Sequence, residues 1–464
     1  MTAGIRSVGF KRVLRRLDMT LFTLCAIIVL DGLAPSAAIG ASSLTWYLIT
    51  LVLFFVPYSL IVAELGSTYP EQGGPYVWIR RAFGKAWAAR GTWYYWVCLP
   101  LGMPSVYILF AGIAGQMFFP NLSRGGIIVI GVVMTWLTVL VSIVTLEVSK
   151  WVPNLGAIFK VLIILALGAG GIAFAIHHGV ANELSLKTLL PSWNTGLAFL
   201  PTVVFNFMGF ELMSSAGDEM KNPTRDVPVA IITSGTLIAF LYLLATSGIL
   251  LALPLDRLSL VTGVIDTLKN MLGGSAIGQG MVIVLGVGTL YTLFATMVTW
   301  TMGTGRTAAR AAQEGTLPAV FGRMHPVYKT PVGAYIITGI ISTLVLAFYG
   351  LLPTSEDQFF WSLFAFGSII YLLPYLAIFP AFLKLRHDDP DTPRPYRFPG
   401  GNFVGWVAAV VCLIFIVQAI VFFIWVPGLP LDGLYTIPIL VGIVVTVVVG
   451  ELLLSRGIKH SPSN

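Results

Sequence analysis

Along the 464-residue chain, apolar stretches alternate with short polar connections. Each stretch has about 20 residues, long enough to cross a bilayer as a helix. Neither the two-residue alternation of a half-buried strand nor the one-sided stripe of a soluble helix prevails. Twelve runs can be marked off: about 19–40, 44–66, 91–118, 125–146, 152–176, a sixth from 197, then 228–252, 279–305, 332–352, 359–383, 404–426 and 434–454. The pattern predicts an all-α membrane protein of twelve transmembrane helices with no soluble domain inserted.

Two runs carry interruptions that a lipid-facing helix would not choose. The sixth meets Asn206, Gly209 and Glu211 midway and ends in Lys221-Asn222-Pro223-Thr224-Arg225-Asp226. A carboxylate at membrane depth costs several kcal/mol unless it faces protein or water. Irregular backbone survives there only where it lines a protein cavity. The first run holds Asp31-Gly32-Leu33-Ala34-Pro35-Ser36. This reads either as a proline kink with Asp31 near a helix end or as an unwound substrate site. A broken helix frees N–H groups at one half and C=O groups at the other. The N–H end attracts a carboxylate and the C=O end an ammonium. Breaks expected at Gly32–Ser36 and Phe207–Glu211 therefore suggest a pocket. Its lining would be Asp31, Gly32, Ala34, Pro35 and Ser36 with Phe205, Asn206, Gly209, Phe210 and Trp300.

The interrupted runs are numbers one and six. That spacing fits two five-helix halves of opposite orientation, each opening with a discontinuous helix. The expected layout is a basic arm at 1–18, a first repeat at 19–176, a second at 197–383, accessory helices at 404–454 and a tail at 455–464. No residue-level repeat accompanies it. The arm, apolar run and Ala34-Pro35-Ser36-Ala37-Ala38 also resemble a signal peptide, but a retained first helix fits an even set of spans.

Composition agrees: 57% of residues are hydrophobic and 10% charged, far from a soluble enzyme. The net charge of +7 could suggest nucleic acid, but its distribution argues otherwise. With the N terminus inside, cytoplasmic segments hold 22 of the 27 lysines and arginines. This bias predicts a cell-membrane protein with both termini cytoplasmic and its positive charge beside the inner leaflet lipids. A monomer or homodimer is expected, with no nucleic-acid partner. Cys25, Cys98 and Cys412 lie in apolar runs and read as small hydrophobes; His177-His178 reads as a solvated pair. Neither a metal site nor a cofactor is expected, and no nucleotide loop, zinc-protease signature or nucleophile elbow is present.

Lys160 sits about eight residues inside the fifth run. It could snorkel to the surface. Buried, it would tend to lose its proton, and a group poised between states can grip helices when charged and release them when neutral. Glu211 is the second proton candidate, or else a cap for the second half of run six. Phe205, Phe210 and Trp300 could occlude a substrate, although single aromatics in a bundle more often pack. Phe359-Phe360-Trp361 reads as an interfacial belt.

Three motifs resemble the amino acid–polyamine–organocation (APC) superfamily. They are Ala63-Glu64-Leu65-Gly66 with Tyr69-Pro70-Glu71-Gln72-Gly73-Gly74-Pro75-Tyr76 and Arg80 to Gly84; Phe205 to Glu211 with Lys221 to Pro228; and Trp300 to Arg306 with Ala312 to Pro318. The wording around Val62–Phe83 is most similar to the glutamate/γ-aminobutyrate antiporter group, whose C-terminal plug the ten residues after Leu454 are too short to form. The resemblance implies a LeuT-like five-plus-five inverted repeat plus two helices, working by alternating access. It implies that Lys160 stands where proton-coupled members use a lysine in place of sodium. It further implies gating positions at Phe205 and Trp300, an acidic position at Glu211 and a pH-responsive tyrosine at Tyr76. The first break departs from the superfamily's Gly-Ser-Gly-like pattern, and Asp31 argues for an amine.

The expected function is secondary active transport of amino acids or related amines, proton-coupled or by exchange. The alternative is a polyamine or organic amine importer that recognises the amine through Asp31. A channel would need rings of like charge along a pore, and a membrane enzyme would need clustered catalytic groups; neither is evident.

Overall fold

The computed structural model describes residues 14–144, 149–191, 195–349 and 355–458. Arg6, Lys11, Arg12 and the last residues of the expected tail lie outside them. Among the described residues eleven helices are long and apolar enough to cross a membrane, and Val332–Phe348 is a shorter apolar helix. No strand occurs among them, only the single bridge between Leu14 and Met220.

The first run is two pieces, α1 (Arg16–Ile27) and α2 (Leu33–Ala38), joined through extended Ile28 and Val29 and a tight turn at Leu30–Gly32. The break thus runs from Ile28 to Gly32 and takes in Asp31; the expectation of Gly32–Ser36 is corrected, since the chain is helical again from Leu33. Pro35 lies in the first turn of α2, where a missing N–H removes no helical bond. The second run is α3 (Ser43–Thr50) and α4 (Val56–Thr68), joined by a wide turn at Leu51–Phe55. Pro57 explains that widening, because it has no N–H for the carbonyl one turn back.

Next come the amphipathic α5 (Pro75–Phe83), α6 (Lys85–Phe118), α7 (Arg124–Ile143) and α8 (Trp151–His178). The sixth run is again broken, into α9 (Leu200–Asn206) and α10 (Phe210–Ser214). Gly209 between them has φ 123°, a conformation only glycine adopts without strain. Then follow α11 (Pro223–Ala252), α12 (Gly263–Leu272) and α13 (Ala276–Gln313). The last of these runs past the expected end at Trp300–Arg306. The remainder are α14 (Val332–Tyr349), α15 (Glu356–Leu372), α16 (Tyr375–Asp388), α17 (Gly401–Ile424) and α18 (Gly433–Ile458).

One apolar core runs through the bundle and contains both broken helices, while α17 and α18 keep long rows of exposed Val, Leu and Ile. The face bearing the N terminus is tied by charge. Arg16 pairs with Asp226 at 2.9 Å, Lys150 with Asp18 at 3.0 Å, and buried Arg306 with Glu219 at 2.6 Å. The Leu14 N–H donates to Glu219 O and the Lys221 N–H to Leu14 O, so the chain before α1 closes against the segment after α10. Arg386 makes a two-pronged contact with Glu64, 2.8 Å on each arm, and the Phe398 N–H adds a third bond at 2.6 Å. The expected aromatic belt is corrected: Phe359 and Phe360 are buried, and Trp361 packs against Phe199 and Phe423.

Candidate functional site

The two broken helices meet side by side. Asn206, the last residue of α9, donates through Nδ2 to Ser36 Oγ at 2.9 Å, to Tyr47 OH at 2.8 Å and to Gly32 O at 3.3 Å. Gly32 has to be glycine, because a Cβ there would stand 1.9 Å from Asn206 Oδ1. Ser36 Oγ itself donates to Gly32 O at 2.7 Å.

The carbonyls freed at the end of α1 each find a donor. Tyr242 OH donates to Ile27 O at 2.6 Å and accepts from the Val29 N–H at 2.9 Å. Trp300 Nε1 donates to Ala26 O at 3.1 Å. Lys160 is fully buried, and its Nζ donates to Cys25 O and Ile28 O. Snorkelling is therefore excluded, and the ammonium lies where the helix end is most negative.

At the second break the freed N–H groups of Gly209 and Phe210 donate to Tyr58 OH, at 3.0 and 3.1 Å. Tyr58 OH donates its own hydrogen bond to Glu211 Oε2 in a short contact. Tyr95 OH and Tyr371 OH each donate to Glu211 Oε1 at 3.0 Å. Glu211 is fully buried, so three hydroxyls from α4, α6 and α15 take the place of water around it.

Between the breaks and α6, α13 and α15 lies a cavity of about 70 Å³. Asp31, Phe205, Trp300 and Tyr371 line it, with Ser105, Thr296 and Ser368 as further polar walls. Asp31 is the one charged residue among its lining. Among the described residues, no other residue donates a hydrogen bond to its carboxylate. The Trp300 ring stands edge-on to Tyr371 with centroids 5.1 Å apart, and Phe205 stands edge-on to Phe364 at 5.0 Å.

Of the expected lining, Asp31, Phe205 and Trp300 reach this cavity. Gly32, Ala34, Pro35, Ser36, Asn206, Gly209 and Phe210 are not on its wall. Asn206 and Gly32 lock the broken helices together, and Phe210 packs among Phe55 and Tyr58. Lys160 and Glu211 are not on its wall, and Tyr371, which lines the cavity, bonds to Glu211. Sequence reading missed Tyr58, Tyr95, Tyr242 and Tyr371. Tyr371 lies in the last turn of α15 and Tyr375 opens α16, and the structure sets their hydroxyl oxygens 2.5 Å apart.

A multi-pass helical membrane protein whose paired helix breaks enclose a small buried cavity is built as a carrier of small molecules. The chain belongs to the amino acid permease family, whose model it matches over residues 14–449. It is a transporter of the amino acid and amine class, not an enzyme. It is 35% identical over 445 residues to the probable agmatine/putrescine antiporter AguD of Lactococcus lactis, covering 95% of this chain and 94% of the relative. An uncharacterised transporter of Legionella pneumophila is 29% identical, with 85% of each chain covered. The branched-chain amino acid permease BcaP of Bacillus subtilis is 24% identical, over 94% of this chain and 95% of its own.

Proposed function

We propose that this protein is a secondary carrier of cationic amines related to amino acids, of the chemistry represented by agmatine and putrescine. It moves them across the cell membrane by alternating access, in exchange or coupled to protons. The observation that carries this reading is the lone carboxylate of Asp31 on an otherwise neutral, aromatic cavity wall. An ammonium there gains a charge-assisted contact and the faces of Trp300 and Phe205.

A free carboxylate on the ligand is poorly served. The N–H groups that would hold it at the second break already donate to Tyr58 OH. The name of the Lactococcus relative describes ligands of the favoured chemistry.

Lys160 is the proton-coupling group. Charged, it clamps the end of α1 through Cys25 O and Ile28 O; neutral, it keeps at most a weaker hold. Glu211, one hydroxyl from the cavity through Tyr371, is the second proton site. The remaining architecture follows the five-plus-five plan, with repeats at 19–176 and 197–383, accessory helices at 404–454 and both termini cytoplasmic.

The test is counterflow of labelled putrescine and of labelled leucine in proteoliposomes. Putrescine exchange that falls at least about tenfold in Asp31→Asn is expected, the loss of one charge-assisted contact. Exchange of leucine alone, or amine exchange untouched in Asp31→Asn, overturns the reading.

A further inference from the structure

On the face opposite the start of α1 there is a second, larger cavity of about 460 Å³. That lies within the range of small-molecule sites, roughly 300–1,000 Å³. Its walls come from the start of α15, the end of α17, the connection after it and the start of α18. Four aromatic residues face it: Trp361, Phe422, Trp425 and Tyr435. Asp432 is the one charged residue among its lining. The cavity thus repeats the composition of the central one, a single carboxylate among rings.

The rings are held rather than loose. Trp425 Nε1 donates to Leu429 O at 2.8 Å, and Tyr435 OH donates to Phe423 O at 2.7 Å. Their polar tips are therefore satisfied, and their π-systems are what they offer a ligand. Asp432 opens α18: its carbonyl accepts the Thr436 N–H at 2.8 Å and its Oδ1 the Tyr435 N–H at 3.3 Å. The carboxylate thus acts as a hydrogen-bond acceptor on the cavity wall, and a mobile anion is repelled by it. An ammonium group gains both the carboxylate and the aromatic faces.

This cavity shares a wall with the central one. Trp361 stacks on Phe364 with centroids 5.7 Å apart, and Phe364 lines the central cavity and packs on Phe205.

We infer that this outer cavity is a second binding site for an organic ammonium group, held by Asp432 and the Trp361–Trp425–Tyr435 cage. The ammonium can belong to a free amine or to an aminophospholipid headgroup. The inference stands on Asp432 and the rings, and not on Asp31.

The experiment is calorimetric titration of putrescine into the full chain in nanodiscs of phosphatidylglycerol, which carries no amine. Two equivalents are expected in the wild type. Asp432→Asn, which keeps a capping side chain, and Trp425→Leu, which leaves the cap untouched, each weaken one equivalent at least about tenfold. Asp31→Asn leaves that equivalent in place. Phosphatidylethanolamine in the disc suppresses it if the lipid is the natural source and leaves it unchanged if a free amine is; both results support the site. A single equivalent, or none, that neither Asp432→Asn nor Trp425→Leu changes overturns it, as does loss of all binding in Asp31→Asn. Asp432-dependent binding with no Asp31-dependent binding instead overturns the reading of the central cavity.

Discussion

The hydroxyl of Tyr58 stands between a broken helix and the carboxylate of Glu211. It accepts hydrogen bonds from the N–H groups of Gly209 and Phe210 and donates one to Glu211. One phenol thereby fills the end of α10 and fixes the acid beside it. Tyr58→Phe leaves two N–H groups and one carboxylate oxygen without this partner. The expected cost is about 3–9 kcal/mol, from about 1–3 kcal/mol for each of the three buried polar groups left unmade. It is read as a lower thermal midpoint in detergent, with counterflow lost in parallel. A variant as stable as wild type contradicts this role.

Lys160→Ala removes two donors from the carbonyls at the end of α1. Exchange at symmetric pH is expected to persist in part, while accumulation driven by a proton gradient disappears. Uptake against a gradient, measured in proteoliposomes with an imposed pH step, decides it. Gradient-driven accumulation that survives in Lys160→Ala removes the coupling role.

Gly32→Ala places a methyl 1.9 Å from Asn206 Oδ1. The side chain that joins the two broken helices has to swing away, at an overpacking cost of about 1–3 kcal/mol. Asn206→Ala breaks the same joint from the other side. If the joint is one unit, combining the two changes lowers the thermal midpoint by clearly less than the sum of the single effects.

Glu64 lies buried among Arg386, Arg394 and the Phe398 N–H. Glu64→Ala leaves a buried arginine fork unpaired and is expected to cost about 3–5 kcal/mol. Arg81→Ala, at a half-exposed site, is expected to fall below about 1 kcal/mol. Thermal unfolding of the two variants side by side checks the contrast.

Tyr69 follows α4, and its OH donates to Asp389 Oδ2 at 2.9 Å. Burial, and then Asp389 itself, push its phenol up from 10.0 to about 12. A raised phenol makes the fold bind its proton more tightly than the unfolded chain does. The contribution is complete below pH 10.0 and is lost as pH rises through about 12. Titration of phenolate absorbance is expected to lose a late-ionising step in Tyr69→Phe.

The break between α9 and α10 was legible because Asn206, Gly209 and Glu211 are foreign to a lipid-facing helix. The interruption of the first run was legible too, but its break lies a few residues earlier than expected. Pro35 drew attention to the wrong turn, since a proline in the first turn of α2 disturbs nothing. The chain parts instead at Ile28 and Val29, two apolar residues that give no local signal. What stabilises the parting comes from afar: Tyr242 on α11, Lys160 on α8 and Trp300 on α13. The tyrosines around Glu211 were hidden for the same reason, each being an unremarked residue on a different span. Asp31, Lys160 and Glu211 stood out because ionisable groups at membrane depth are rare.

The cut end of α1 has its own mechanical meaning. Three neighbouring helices hold its carbonyls through Lys160, Trp300 and Tyr242. Tilting this stub alone severs all those bonds together, so isolated wobble is steeply penalised. The stub and its three holders therefore move as one body or not at all.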